Sequence, residues 1–251
     1  MLCHTVSHLS PCESRFDLLP IADLFIVFSC MLCQLQAQRC RLLWNSTGSH
    51  VLGHTSCDFD ATNQSYFGES RLYLMSADGR LDMQVTMDNE CSIQDVAWSP
   101  DGKFFAALGG ISPAIGVLFD SKGKPVYKLG EGAYNQVCWN PHSRFLLLAG
   151  FGNMPGDIRL FDKKSDNACK PMGGCRSQCS VLVEWSPCGR YFMTAAVAPR
   201  MRVDNRVTVF TYYGAEVAAK PYAELFDARW RPRPRVRPCQ CKPLLWCELG
   251  V

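Results

Sequence analysis

The sequence has little that catalysis or a membrane would require. No GxSxG nucleophile elbow, no HExxH zinc helix and no phosphate-cradling GxxxxGK[ST] loop occurs in its 251 residues. Histidine is scarce. Of the five, His4 and His8 lie in an N-terminal segment unlike the rest, His142 falls in a turn, and His50 and His54 bracket Gly53, which reads as the turn of a hairpin. None of them pairs into a ligand set. The apolar stretch Leu18 to Cys33 is sixteen residues long and contains Pro20 and Asp23; a bilayer span needs roughly 20. It has neither the basic lead nor the small-residue cleavage pattern of a signal peptide. The expectation is a non-catalytic, cytoplasmic protein with no membrane partner.

Cysteine is abundant, at fifteen residues, yet the spacing that makes a zinc site is missing. A structural zinc site wants two close pairs. Only Cys30/Cys33 is a CxxC; Cys175/Cys179 and Cys239/Cys241 are spaced otherwise. Cys138 and Cys188 fall in strand and turn positions where a small apolar side chain suffices. Reduced thiols, no metal and no cofactor are expected. "GGCRSQC", around Cys175, reads as a Gly-rich connection without the helix that an anion site would need. Nor is charge of one sign in excess: the net is +3, and residues 229–251 alone carry six basic residues against Glu248. The balance of the chain is therefore slightly acidic. "RPRPRVRP" can meet phosphates as an extended strip of guanidiniums, and its ordinary alternative is a solvated linker.

What is present is a phrase written three times. "VAWSPDGKFFAALGG" begins at Val96, "VCWNPHSRFLLLAG" at Val137 and "VEWSPCGRYFMTA" at Val183. In each, a Trp (Trp98, Trp139, Trp185) closes an apolar run. A turn follows with proline at its second position (Pro100, Pro141, Pro187), then a basic residue and a second apolar run. Proline fixes φ and the glycine or serine after it permits reversal, so each phrase reads as a β-hairpin. Another strand–turn–strand pair follows each time, from Ala114, Asp157 and Arg206, and a similar pair at Arg71 belongs with a weaker hairpin at Leu42. A loop of roughly Thr55 to Ser70 is inserted there. "ARWRPRP", with Trp230, reads as a fifth unit cut short.

Trp44, Trp98, Trp139, Trp185 and Trp230 are 54, 41, 46 and 45 residues apart. Four-stranded antiparallel units at this period, with Trp and turn in register, predict an all-β fold built as a β-propeller. A β-sandwich also alternates strands and turns, but it does not repeat one turn phrase at a fixed period.

Five further phrases are more specific than blade architecture: "YFGESRLYLMSADG", "VAWSPDGKFFAALGG", "LLLAGFGNMPGDIRLFD", "EWSPCGRYFMTAAVAPRMRVDN" and "AELFDARWRP". In this order they resemble the propeller of eukaryotic translation initiation factor 2A, over about three quarters of the chain. The resemblance implies about four to five blades of a larger, nine-bladed type at 41–232, with 1–40 outside the family pattern (helical or disordered) and 233–251 a basic Pro/Arg-rich tail. It implies docking on the small ribosomal subunit and support of initiator methionyl-tRNA delivery, with messenger RNA and other initiation factors as partners and no GTP hydrolysis by the chain itself. The alternatives are a general WD-repeat-like interaction scaffold or a propeller like that of initiation factor 3 subunit b. A propeller-borne serine peptidase would need a Ser/His/acid set and a hydrolase domain for which there is no room. Candidate RNA contacts are Lys163 and Lys164, whose ordinary alternative is a solvated turn, and Arg200 and Arg202, which lie in the family phrase "APRMRV". A partial ring leaves two blade faces open, so the chain is expected to aggregate or dimerise and to bind the ribosome more weakly than a full-length factor.

Overall fold

The structure, a computed structural model, describes residues 39–57, 70–87, 92–110, 113–164, 169–198, 204–231 and 249–250. These contain strands and turns and no helix. The first blade is β1 (Arg39–Trp44), β2 (His50–Ser56), β3 (Ser70–Ser76) and β4 (Asp82–Val85). The second is β5 (Ile93–Trp98), β6 (Phe104–Gly109), β7 (Ala114–Asp120) and β8 (Pro125–Gly132). The third is β9 (Gln136–Trp139), β10 (Phe145–Ala149), β11 (Asp157–Lys163) and β12 (Cys169–Arg176). The fourth is β13 (Leu182–Trp185), β14 (Tyr191–Ala196), β15 (Arg206–Thr211) and β16 (Glu216–Pro221). Each is a sheet of four strands in sequence order, antiparallel throughout. A fifth sheet pairs β17 (Arg229–Trp230) with β18 (Leu249–Gly250). The propeller expected from the repeat is therefore present as four blades and the beginning of a fifth.

The second strand of each unit explains the unbroken apolar runs. In β6, residues 104–109 are all buried. Side chains alternate faces along a strand, and here both faces are covered: Phe105 and Ala107 pack with Leu52, Leu72 and Leu74 of the first blade, while Phe104, Ala106 and Leu108 pack with Leu146 and Leu148 of the third. Leu147 and Ala149 in turn face Phe192 and Phe210 of the fourth blade. The core is thus a series of layers between blades. First strands of neighbouring blades approach one another, which makes them the innermost; β16, the fourth strand of its blade, is exposed throughout.

The recurring tryptophans form a ladder. The indole N–H of Trp98 donates to the carbonyl of Leu43 (2.9 Å), Trp139 to Ala97 (3.1 Å), Trp185 to Cys138 (3.2 Å) and Trp230 to Glu184 (3.1 Å). Every acceptor is the residue just before the preceding blade's Trp, so the period of the sequence is the step of a hydrogen-bonded stack. The prolines sit as expected. Gly102 N–H donates to Ser99 C=O (2.8 Å) across Pro100, and Gly189 N–H to Ser186 C=O (2.8 Å) across Pro187. The Ser99 hydroxyl closes the same turn by donating to Phe104 C=O and accepting from Phe104 N–H. In the third blade Ser143 takes the left-handed position (φ 59°) that Gly102 and Gly189 hold elsewhere, and its hydroxyl accepts from Asp101 N–H of the second blade (2.8 Å).

Three local expectations change. Gly53 is no turn: it lies inside β2 opposite Leu42, and the reversal is at Asn45–Gly48, where the Gly48 N–H bonds the Asn45 carbonyl. The glycines of "GGCRSQC" are likewise strand residues of β12, paired with Leu160 and Arg159. The strand β1 begins at Arg39, inside the segment assigned to 1–40, and β18 falls within the segment assigned to the tail. Residues 1–38 and 232–248, with Cys30/Cys33, His4, His8, most of the Arg/Pro run and Cys239/Cys241, lie outside the described residues. "AGFGN" earns its composition in packing. A Cβ on Gly150 would lie 1.7 Å from the Ala133 carbonyl oxygen, and the Asn135 side chain bonds both N–H and C=O of Phe151 at 3.0 Å.

Candidate nucleic-acid interface

Because the strands alternate direction, the turn between first and second strands and the turn between third and fourth emerge at one face of the disc. In the first two blades the latter turns have small or polar residues at their centres: Ala77-Asp78 and Ser121-Lys122, each followed by a positive-φ glycine. The fourth blade has the same turn, closed by Gly214 N–H to Thr211 C=O at 2.9 Å. Its central residues are Tyr212 and Tyr213, and they are 37% and 51% exposed. Aromatic rings at the cheapest place in a blade for a polar residue are the feature of this face that folding does not ask for.

The two rings are held from below. Phe210, Phe192, Trp185, Phe145, Tyr212 and Tyr213 form a continuous run of ring contacts with centroid separations of 5.2, 5.3, 6.3, 4.9 and 5.1 Å, from buried core to surface. Tyr212 stacks on Phe145 of the third blade, 20° from parallel, and Tyr213 stands at 88° to Tyr212. The Arg144 guanidinium lies 4.9 Å from the Phe145 ring centre and grips Asp162 with two bonds of 3.1 and 3.3 Å. That pair raises the Arg144 pKa further, first through the hydrogen bond and then through charge.

Tyr212 is the wall between two open clefts. One, about 420 Å³, is lined by Lys164, Lys170, Met172 and Tyr213 as well as the spoken-for Asp162. The other, about 400 Å³, is lined by His142, Arg144, Phe145 and Arg190. Lys164, Lys170 and Arg190 are exposed and have no ion-pair partner among the described residues. Flat π surfaces with unpaired cations on either side are suited to a polyanion that carries planar groups.

The four basic residues singled out from sequence separate here. Lys164 lines the first cleft. Lys163, the last residue of β11, is half-buried with its ammonium 3.6 Å from the centre of the Phe104 ring on the second blade. That contact ties two blades together, and burial lowers the Lys163 pKa. Arg200 and Arg202 lie outside the described residues; the flanking strand ends, Ala196 and Arg206, sit at the opposite face from the tyrosines. Tyr212, Tyr213, Lys170 and Arg190 were missed from sequence, although "TYYG" in the place of "SADG" and "DSKG" was a usable signal. Cys40, Cys138, Cys169, Cys175, Cys179 and Cys188 are free thiols. Burial pushes Cys138 and Cys175 up to about 12 and Cys169 to about 11, which leaves them protonated and unreactive at neutral pH.

The family model described as "Eukaryotic translation initiation factor eIF2A" matches residues 34–228. The chain is 35% identical over 199 residues to eukaryotic translation initiation factor 2A of Schizosaccharomyces pombe, covering 79% of the chain and 34% of that relative. It is 36% identical over 197 residues to the Dictyostelium discoideum protein of the same name, covering 78% and 31%. A solved structure described as "Crystal structure of the eukaryotic initiation factor" superposes with a TM-score of 0.68 at 31% identity, covering 80% of this chain and 47% of that one. The chain thus spans about a third of the length of the curated relatives it matches.

Proposed function

This chain belongs to the eukaryotic translation initiation factor 2A family, and on that premise we propose that it is a non-catalytic docking module of the cytoplasmic initiation machinery. It binds the small ribosomal subunit, supports delivery of initiator methionyl-tRNA without hydrolysing GTP itself, and works beside messenger RNA and other initiation factors. The observation that supports this most is the face carrying Lys164, Lys170 and Arg190 around two exposed tyrosines. Phosphate contacts of this kind position a protein on RNA without reading sequence. Arg200 and Arg202, whose flanking strand ends sit at the other face, are proposed as a separate phosphate contact, whereas Lys163 is assigned to the blade junction.

The test is sedimentation of the purified chain with small ribosomal subunits through a sucrose cushion, with and without initiator methionyl-tRNA. The expected result is co-sedimentation that weakens steeply between about 0.05 and 0.2 M salt, as counterion release requires. A chain that stays in the supernatant at low salt, or that sediments with a salt-independent yield, would refute docking on ribosomal RNA.

A further inference from the structure

We infer that the Tyr212 wall and its two clefts form a binding site for single-stranded RNA. Unpaired bases stack on Tyr212 and Tyr213, and successive phosphates are held by Arg190 on one side and by Lys164 and Lys170 on the other. The inference rests on the docking reading above and names the RNA element that this face takes.

Three observations point to this occupant. First, the cations alternate with the rings: Arg190 in one cleft, Tyr212 between the clefts, Lys164 and Lys170 in the other. A single strand presents charge and flat base in the same alternation, whereas an acidic peptide has no planar group for the rings. Secondly, the rings stand at 88° to each other, and Tyr213 remains about half exposed beyond Tyr212, whose inner face rests on Phe145. A duplex hides its base faces in its own stack and offers only phosphates to such a surface, so the tyrosines would be idle against it. Thirdly, the one carboxylate among the described residues that line the clefts, Asp162, is held by Arg144, which leaves that described lining cationic. Arg144 is consumed by that role and by the Phe145 ring beneath it, so it braces the platform.

The experiment uses the full chain and a fluorescein-labelled ten-nucleotide oligoadenylate RNA, read by anisotropy. The same assay is run with an RNA duplex of equal length and with an oligoglutamate peptide. Single-strand binding is expected to exceed duplex binding. Tyr213→Ala is expected to weaken it about tenfold, given about 1–3 kcal/mol per stacked base. Tyr212→Ala should do the same and Tyr212→Phe should restore it. Arg190→Ala and Lys164→Ala should each lower the slope of log K against log salt by about 0.7, the value for one phosphate on a single strand. A misfolded variant would not change the slope in that stepwise way, and melting curves check each fold. Lys163→Met, which removes a neighbouring charge outside the clefts, should change binding less than about twofold.

Equal affinity for duplex and single strand overturns the inference, as does wild-type affinity in both Tyr213→Ala and Arg190→Ala. Binding of the oligoglutamate in place of the RNA overturns it too. Its failure is separable from failure of the docking reading. A Tyr213→Ala chain that still sediments fully with small subunits leaves docking intact and refutes the clefts. A chain that binds the oligonucleotide through the clefts and ignores the subunit does the reverse.

Discussion

Replacing Trp139 by Phe tests whether the tryptophan ladder holds the blades together or merely accompanies them. Trp139 is 8% exposed, sits in the layer between the second and third blades, and donates its indole N–H to Ala97 C=O at 3.1 Å. Phenylalanine keeps an aromatic ring and removes the donor. A neutral hydrogen bond contributes about 1 kcal/mol net. The lost ring atoms add about 1–1.5 kcal/mol at about 0.8 kcal/mol per buried methylene equivalent. The expected cost is therefore about 2–3 kcal/mol, or roughly a 1 M fall in the urea midpoint for a typical slope of about 2–3 kcal/mol/M. Trp44 provides the control: it is 44% exposed, and its indole has no bonding partner among the described residues. Trp44→Phe should shift the midpoint by less than about 0.2 M, since exposed substitutions fall within about 0.5 kcal/mol. Trp98 bonds Leu43 at 2.9 Å but is only partly buried, so Trp98→Phe should lie between the two. Far-UV circular dichroism at fixed protein concentration reads all three without depending on the fluorophore being changed. Equal shifts for Trp44→Phe and Trp139→Phe would refute the reasoning, because the loss would then follow the residue type and not the inter-blade bond.

The turn glycines and the half-buried His54 give two more outcomes. Gly48 and Gly189 share φ 68°, but a Cβ on Gly48 meets nothing within 4 Å, while one on Gly189 would lie 2.7 Å from the Asn140 and His142 side chains. Alanine at 48 should cost about 1 kcal/mol of backbone strain. At 189 it should cost about 1–2 kcal/mol more by disturbing the Asn140 bond to Gly189 C=O; equal thermal shifts would show that the neighbouring turn simply yields. His54 bonds the Ser70 hydroxyl at 3.1 Å, and burial lowers its pKa; the Ile93 backbone bond and the Asp95 charge oppose this, while the Arg41 charge adds to it. A depressed folded pKa means that the unfolded chain takes the proton first. The stability His54 contributes is therefore present above about pH 6.5 and lost as pH falls through its folded value. His54→Gln should flatten the fall in melting temperature between about pH 7.5 and 5.5, and an unchanged slope would remove His54 from the account.

The blades were legible because one local phrase does one physical job in every copy. Trp reaches the previous blade, proline and the left-handed residue turn the chain, and the next run is apolar on both faces because both faces are covered. Gly53 shows the limit of that legibility. Flanked by histidines it resembles a turn, and only the pairing of Leu42 with Gly53 and Leu43 with Leu52 shows that Asn45–Gly48 already made the reversal. Lys163 and Lys164 show another. Neighbouring residues of one type are indistinguishable until the fold lays Lys163 over a Phe104 ring from a different blade.

The candidate site was hidden for the same reason in a stronger form. Its parts come from two blades: Arg144, Phe145, Lys164 and Lys170 from the third, Arg190, Tyr212 and Tyr213 from the fourth. What joins them is a ring contact between Phe145 and Tyr212 that no repeat spacing encodes. In a propeller the repeated positions must serve the layers between blades, since each blade needs the same neighbours. Whatever is particular to one function has to be written in the positions the repeat leaves free, chiefly the centres of the turns. A departure from the repeat at such a centre, where two tyrosines replace two small or polar residues, is then more informative about function than any residue the blades share.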